Sequence, residues 1–415
     1  MKNWFIEKIV GFFSAREKRL ATLFLIFLLS LMFRLIYVLS MPNTLVWYDE
    51  IKYNEKAMNL IENGHYGSIE FAPGEPIFLY GVYKIFGFSV TKARVAESVL
   101  GALSCLLLFA IGNRLFSYQI GLWAALIMAI YPLYVFSAGT LYPIVLFVFF
   151  LLLLFLLLFR LTISKSWGDA ILSGILIGIE TLIIPTIVFM VPVFFLWLFL
   201  LLKKSFLGKM ATLLAILLSM TAILFPWSYS NSKKMGTFIL VTSESGHSLW
   251  QGNNEFFDGF NRPGPDDIPL QIRNRLKGKN IDEQDKIYRQ EAFRFIKEHP
   301  RRFIVLYFRK FINFWRIYPK TISRNKYTSP KNKIISLFSY GILFLLSFVG
   351  LYKTRKRFLF LSVMPLSAIA FAMGYSFFLT STRYRLPIDV FVILFASIPL
   401  SEWFEKWLSK LSQKE

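Results

Sequence analysis

Leu146-Phe147-Val148-Phe149-Phe150-Leu151-Leu152-Leu153-Leu154-Phe155-Leu156-Leu157-Leu158-Phe159 carries no polar side chain. A helix turns through every direction within about 3.6 residues, so such a run is apolar on all faces. A water-soluble helix needs one polar face, and this one has none. The whole chain follows the same rule. Its 415 residues are 55% hydrophobic and 17% charged, with 45 Phe, whereas soluble domains are about 25% charged. Lipid tolerates no unpaired backbone polar group, so about 20 apolar residues must cross it as a helix. The expected fold class is an all-α polytopic membrane protein.

Outward from that run, hydropathy places about ten spans, near 20–39, 93–111, 119–137, 141–159, 168–183, 186–202, 210–227, 334–352, 358–379 and 386–402. The loops carrying Arg114, Arg160 with Lys165, Lys203 with Lys204 and Lys209, and Lys353 with Arg355, Lys356 and Arg357 all fall on one side. Cationic loops stay in the cytoplasm, so both termini are expected there, with a multi-pass chain in the cytoplasmic (inner) membrane. Lys2, Lys8, Arg16, Lys18 and Arg19 precede the first span with no small-residue cleavage site after it, as in a signal anchor. The formal net charge of +22 lies largely in these loops and span ends, where it meets anionic headgroups, so the expected surface partner is the bilayer and not nucleic acid. Cys105 is the single cysteine and sits inside a predicted span, which rules out an intrachain disulfide.

Two long loops face the other side, 40–92 and 228–333. They divide the chain into a first transmembrane module (1–227), an extracytoplasmic loop region (228–333) and a second transmembrane module with its tail (334–415). In the first loop, Trp47, Ile51, Met58 and Ile61 recur at helical spacing between charged residues, which predicts an amphipathic surface helix. A turn at Asn63–Gly67 and Pro73-Gly74-Glu75-Pro76 then lead into a second short helix ending at Gly87. The second loop is too long for a connector. It holds Gly246–Asn254, a polar helical stretch over Asp282–Lys297, and an aromatic-rich stretch Phe303–Trp315 whose Arg309 and Lys310 are expected to snorkel to an interface.

The chemistry-bearing residues crowd the outer side. Asp49 and Glu50 lie at the water–lipid boundary, where a carboxylate can take a proton from a substrate or help to hold a metal. Adjacent acids on a helix point about 100° apart, so one of the two faces a given cavity, and Asp49 shares its face with Tyr53. The same residues also suit an ordinary solvated helix. A lipid-linked phosphate needs cations at the interface, and Arg383, Arg385 and Lys84 stand on that side. Headgroup anchoring is the plainer reading of those cations. Glu180 lies deep in a predicted span, where an ionised acid is costly. Glu97 has Arg94 at i−3 as its expected partner. His65, His247 and His299 form no short-spaced ligand pair, and no nucleotide-binding or Ser-His-Asp pattern occurs.

In order along the chain stand Tyr48-Asp49-Glu50 with Tyr53 and Ala57, Pro73–Pro76 with Tyr83–Gly87, Ala93-Arg94 with Leu100-Gly101-Ala102, and Pro226-Trp227. Then come Ser248–Asn254, His299-Pro300, Lys310 with Phe314-Trp315, and Arg383-Tyr384-Arg385-Leu386-Pro387. This order resembles the GT-C superfamily of membrane glycosyltransferases, nearest to protein O-mannosyltransferases and the lipid A aminoarabinose transferases. The resemblance implies a GT-C bundle with amphipathic helices in the first outer loop. It implies inverting transfer from a polyprenyl-phosphate sugar to a glycolipid, glycan or protein acceptor outside the cytoplasmic membrane. It gives Asp49, with Glu50 beside it, the catalytic place, and Lys84, Arg383 and Arg385 the donor phosphate. Tyr48, Tyr53, His247, Trp250, Asn253 and Tyr384 become candidates for substrate contact. It leaves room for a divalent metal and requires no other cofactor. Relatives often carry Glu where this chain has Ile144, and Arg before a proline where it has Ile184-Pro185. The rival readings are a lipid-linked oligosaccharide ligase or polymerase, a lipid or glycan transporter, and a non-catalytic scaffold.

Overall fold

Serine hydroxyls start four of the membrane-embedded helices. Ser89, Ser117, Ser166 and Ser205 each accept a backbone N–H from the first turn of Val90–Leu115, Tyr118–Ile130, Trp167–Ile183 and Phe206–Met235. Each supplies a partner for a donor that has none inside the helix. The computed structural model describes residues 15–259, 268–318 and 330–412, and among these every regular element is helical.

Among the described residues six helices are long and apolar enough to cross a membrane: Arg19–Leu39, Val90–Leu115, Ile144–Ser164, Phe206–Met235, Pro330–Lys353 and Thr382–Leu411. A seventh crossing arises if Arg355–Leu361 and Val363–Phe377, bent by 60°, count as one. The chain is therefore a multi-pass membrane protein. Each of the ten expected positions is helical, but those near 119–137, 168–183 and 186–202 are shorter pieces. Prolines set the breaks. Pro132 separates Tyr118–Ile130 from Pro132–Ser137. Ile184 takes an extended conformation ahead of Pro185, as the residue before a proline prefers.

Close backbone approach holds the bundle together. Trp167–Ile183 packs along Phe206–Met235, and a Cβ on Gly174 would lie 2.3 Å from the Ile216 carbonyl oxygen. Without an apolar driving force between helices in lipid, such close packing supplies much of the association. Val90–Leu115 packs against Ala15–Leu39, Tyr118–Ile130 and Ile144–Ser164.

The first long loop forms two short helices, Tyr48–Glu62 and Gly74–Phe86. Glu50 anchors them. Its Oε2 accepts the Val46 and Trp47 N–H groups at 2.8 and 3.1 Å, and its Oε1 meets Arg94 Nη2 at 2.8 Å. Both side chains of this ion pair are fully buried. Arg94 thus pairs with Glu50 and not with Glu97, because it also reaches the Pro42 and Thr44 carbonyls that close the loop. Glu97 instead neighbours Glu75, and both carboxyls are buried. In the second loop Ile281–Glu298 and Pro300–Phe314 form as read. Lys310 does not snorkel, since its amine is buried among backbone carbonyls.

Candidate functional site

Asp49 sits in the first turn of Tyr48–Glu62, where the helix N-terminus favours an anion. It faces a cavity of about 590 Å³. Tyr48, Asp49 and Tyr53 form one side of it. Tyr142–Ile144 and Ile183–Thr186, the two proline-broken turns, form a second. Glu244, His247 and Gln251 from the second loop line it, as do Tyr375, Arg383 and Tyr384 near the start of the last span. One sharp local feature aims Tyr142. Leu141, buried and not glycine, holds φ at 42° in the turn before the helix Ile144–Ser164. A left-handed residue of this kind costs roughly 1–2 kcal/mol.

The electrostatic centre is one ion pair. Arg383 Nη1 meets Asp49 Oδ2 at 2.8 Å, with 34% and 25% of the two side chains exposed. Arg383 also donates from Nη2 to the Tyr384 hydroxyl at 3.2 Å and lies 5.3 Å from the Tyr142 ring centre. Tyr384 stacks on Tyr375 with centroids 4.6 Å apart. The guanidinium therefore lies close to the Tyr142 and Tyr384 rings and to a carboxylate. Burial pushes the Tyr53 phenol well up, and the Asp49 charge adds to the rise. Tyr142 is pushed up to about 12 for the same two reasons, burial first. Both remain hydroxyls that donate hydrogen bonds at neutral pH. On the outer wall His247 Nδ1 lies 3.1 Å from Glu244 Oε1, its Nε2 lies 3.2 Å from Gln251 Nε2, and its backbone N–H donates to Asp285 at 2.8 Å.

Of the residues singled out from the sequence, Tyr48, Asp49, Tyr53, His247, Arg383 and Tyr384 meet in this cavity. The others serve elsewhere. Glu50 is committed to Arg94. Lys84 is exposed and bonds Tyr80 at 3.1 Å, outside the cavity. Arg385 is buried, paired with Asp389 at 2.9 Å, and packed 3.3 Å from the Tyr340 ring centre. Trp250 packs on Tyr288, and Asn253 spans the Leu249 and Phe377 carbonyls. Ile144 and Ile184, the two departures from the relatives' pattern, both lie on the cavity wall. Sequence reading passed over Glu70, Tyr142 and Glu244 as site residues, and held Gln251 only as part of the block Ser248–Asn254. Only Glu244 gave a signal, standing at helical i,i+3 spacing from His247.

A divalent metal does not fit these residues. Asp49 Oδ2 already faces a guanidinium, Glu50 is spent on Arg94, and among the described residues no three His, Cys, Asp or Glu side chains stand close enough to hold an ion.

Residues 71–229 match the family model described as dolichyl-phosphate-mannose-protein mannosyltransferase. No curated protein matches the chain by sequence. Among solved structures, the chain is similar to the archaeal oligosaccharyltransferase AglB from Archaeoglobus fulgidus, in complex with an inhibitory peptide and a dolichol-phosphate. The identity is 14%, over 97% of this chain and 52% of that one, with a TM-score of 0.55. The Archaeoglobus fulgidus oligosaccharyltransferase in complex with zinc and sulfate gives 15% identity over 93% of this chain and 49% of that one, at a TM-score of 0.53. ArnT from Cupriavidus metallidurans, bound to undecaprenyl phosphate, gives 14% identity over 93% of this chain and 78% of that one, at 0.43. This chain spans about half the length of AglB. Its fold is similar to that of the Archaeoglobus fulgidus oligosaccharyltransferase.

Proposed function

We propose that the chain transfers a sugar from a polyprenyl-phosphate donor to an acceptor at the outer face of the cytoplasmic membrane, with inversion at the anomeric carbon. The observation that carries this is the Asp49–Arg383 pair inside a cavity bounded by membrane helices. A carboxylate and a guanidinium are the two charges the reaction asks for. The donor's phosphate competes with Asp49 for Arg383, which grips it bidentately. Asp49, released from the guanidinium, accepts the proton of the acceptor hydroxyl or amine. The acceptor atom then bonds to the anomeric carbon as the bond from that carbon to the phosphate oxygen breaks. The leaving polyprenyl phosphate keeps the electron pair, and Arg383 stabilises the charge that develops on it. Tyr53 and Tyr142 remain protonated beside Asp49 and can orient the sugar by donating hydrogen bonds. His247 and Gln251 line the wall formed by the second loop, where the acceptor approaches.

Both partners of the pair are needed, and the phosphate half can be read alone. Undecaprenyl phosphate binding to the full chain in nanodiscs is expected to weaken tenfold or more in Arg383→Gln and to change little in Lys84→Gln. Equal binding by wild type and Arg383→Gln would remove Arg383 from the donor site.

A further inference from the structure

Two units meet at the wall of the cavity formed by the second loop, and the buried Lys310 amine joins them beside the Asn253 Nδ2 bond to the Phe377 carbonyl. The helix Ser245–Gly252 is pinned to Ile281–Glu298 by the Asp285 bond to the His247 N–H and by Trp250 packed on Tyr288. The turn that carries Arg383 is pinned separately to the membrane bundle. Arg385 pairs with Asp389, and the Tyr134 hydroxyl donates to the Leu386 carbonyl at 2.7 Å. Between these units lies Lys310, on Pro300–Phe314. Its Nζ donates to the Gly252 carbonyl at 2.9 Å, to Asn253 Oδ1 at 2.9 Å and to the Phe378 carbonyl at 3.1 Å. The amine is fully buried.

An ammonium carries three protons, and here each has an acceptor. Two acceptors belong to the outer helix and its end, and the third to the segment that leads into Arg383. No carboxylate takes part, so the contact contributes position and no charge pair. Burial pulls the amine down to about 7, and the three oxygens aimed at it oppose that pull, because only the charged form has a proton for each. The backbones themselves touch at the same point. A Cβ on Gly252 would stand 1.6 Å from the Phe378 carbonyl oxygen, so only glycine permits the closed arrangement. Thr380 closes the knot from the other side by donating to the Lys310 carbonyl at 3.0 Å.

We infer that Lys310 is a positioning residue for the transfer, clamping the wall that bears His247 and Gln251 against the turn that bears Arg383. The inference rests on the glycosyl-transfer reading above for its kinetic consequence, though not for its geometry. Loosening the clamp leaves Arg383 and Asp49 where they are, since Arg385 and the helix Tyr48–Glu62 hold them. It frees the wall formed by the second loop. The acceptor side should therefore suffer while the donor side does not.

The experiment uses the full chain in nanodiscs, polyprenyl-phosphate mannose as donor probe, and envelope membranes of a deletion strain as the acceptor pool. Lys310→Met removes the amine and keeps its length. Gly252→Ala leaves the amine and forces the two backbones apart, so it tests the same contact from the other side. For both variants the account expects donor KM within twofold of wild type, kcat/KM for the acceptor lowered tenfold or more, and faster hydrogen exchange of the 245–254 amides. An acceptor kcat/KM within twofold of wild type would overturn the inference. So would donor and acceptor parameters falling together with the melting temperature, which marks a purely structural pin. If the wild type transfers from no polyprenyl-phosphate sugar, the functional reading fails by itself. The exchange data still judge the clamp, and unchanged protection in Lys310→Met would then overturn it.

Discussion

Asp49 and Glu50 are neighbours in the chain with opposite duties, and the difference follows from where each carboxylate ends up. Glu50 is buried, paired and hydrogen-bonded to two backbone N–H groups. Removing one partner of a buried pair leaves the other uncompensated, at roughly 3–5 kcal/mol. Glu50→Gln is therefore expected to lower the melting temperature sharply, with activity falling in step. The Asp49–Arg383 pair is partly exposed, where such contacts contribute about 0–1 kcal/mol. Asp49→Asn should keep the fold and lose transfer. Thermal melts and turnover on the two variants check the contrast, and matching losses in both would refute it. Glu75 adds a pH effect. Burial raises its carboxyl from 4.5 to about 7. A folded pKa above the unfolded one gives stability that is complete below about pH 4.5 and is lost as pH rises through 7. Glu75 shares its buried site with Glu97, so Glu75→Gln removes part of that dependence, and its melting temperature relative to wild type should rise between pH 5 and pH 8. A constant difference across that range would contradict the assignment.

Elements were more legible in the chain than were their meetings. The 14-residue apolar run and the helical spacing of Trp47, Ile51, Met58 and Ile61 both act within one turn or one span, and each marks a helix that is present. Contacts between distant segments left no such mark. Arg94 was read with Glu97, three residues away, yet it bonds Glu50 across 44 residues. Lys310 was read as snorkelling because its neighbours are aromatic, and only the folded chain shows the carbonyls that surround it. Spacing along one helix could place Asp49 beside Tyr53, but it could not show that Arg385 turns away toward Asp389 while Arg383 turns in. Close helix contact gives a test at this scale. Gly174→Leu would drive a side chain into the Ile216 carbonyl and Ser219. It should lower the unfolding free energy by about 1–3 kcal/mol without changing donor KM. Unaltered stability in a folded Gly174→Leu protein would mean that these two helices do not pack as described.

At the scale of the whole molecule, the cavity is where the first outer loop, two proline breaks, the second loop and the start of the last span converge. No local pattern in the sequence contains that convergence, and it is what turns scattered polar residues into one site. The same assembly brings Ile144 and Ile184, far apart in the chain, to the lining of one cavity. The chain carries a net charge of +22, yet the cavity centre is a neutral carboxylate–guanidinium pair. In the proposed mechanism the donor phosphate separates the two and frees the carboxylate to act as a base. Mass spectrometry of envelope glycolipids and glycoproteins from a deletion strain, complemented with wild type or Asp49→Asn, tests this most directly. The account predicts that one glycan loses a single sugar in the deletion strain and that wild type alone restores it. Restoration by Asp49→Asn, or an unchanged glycan profile in the deletion strain, would contradict it.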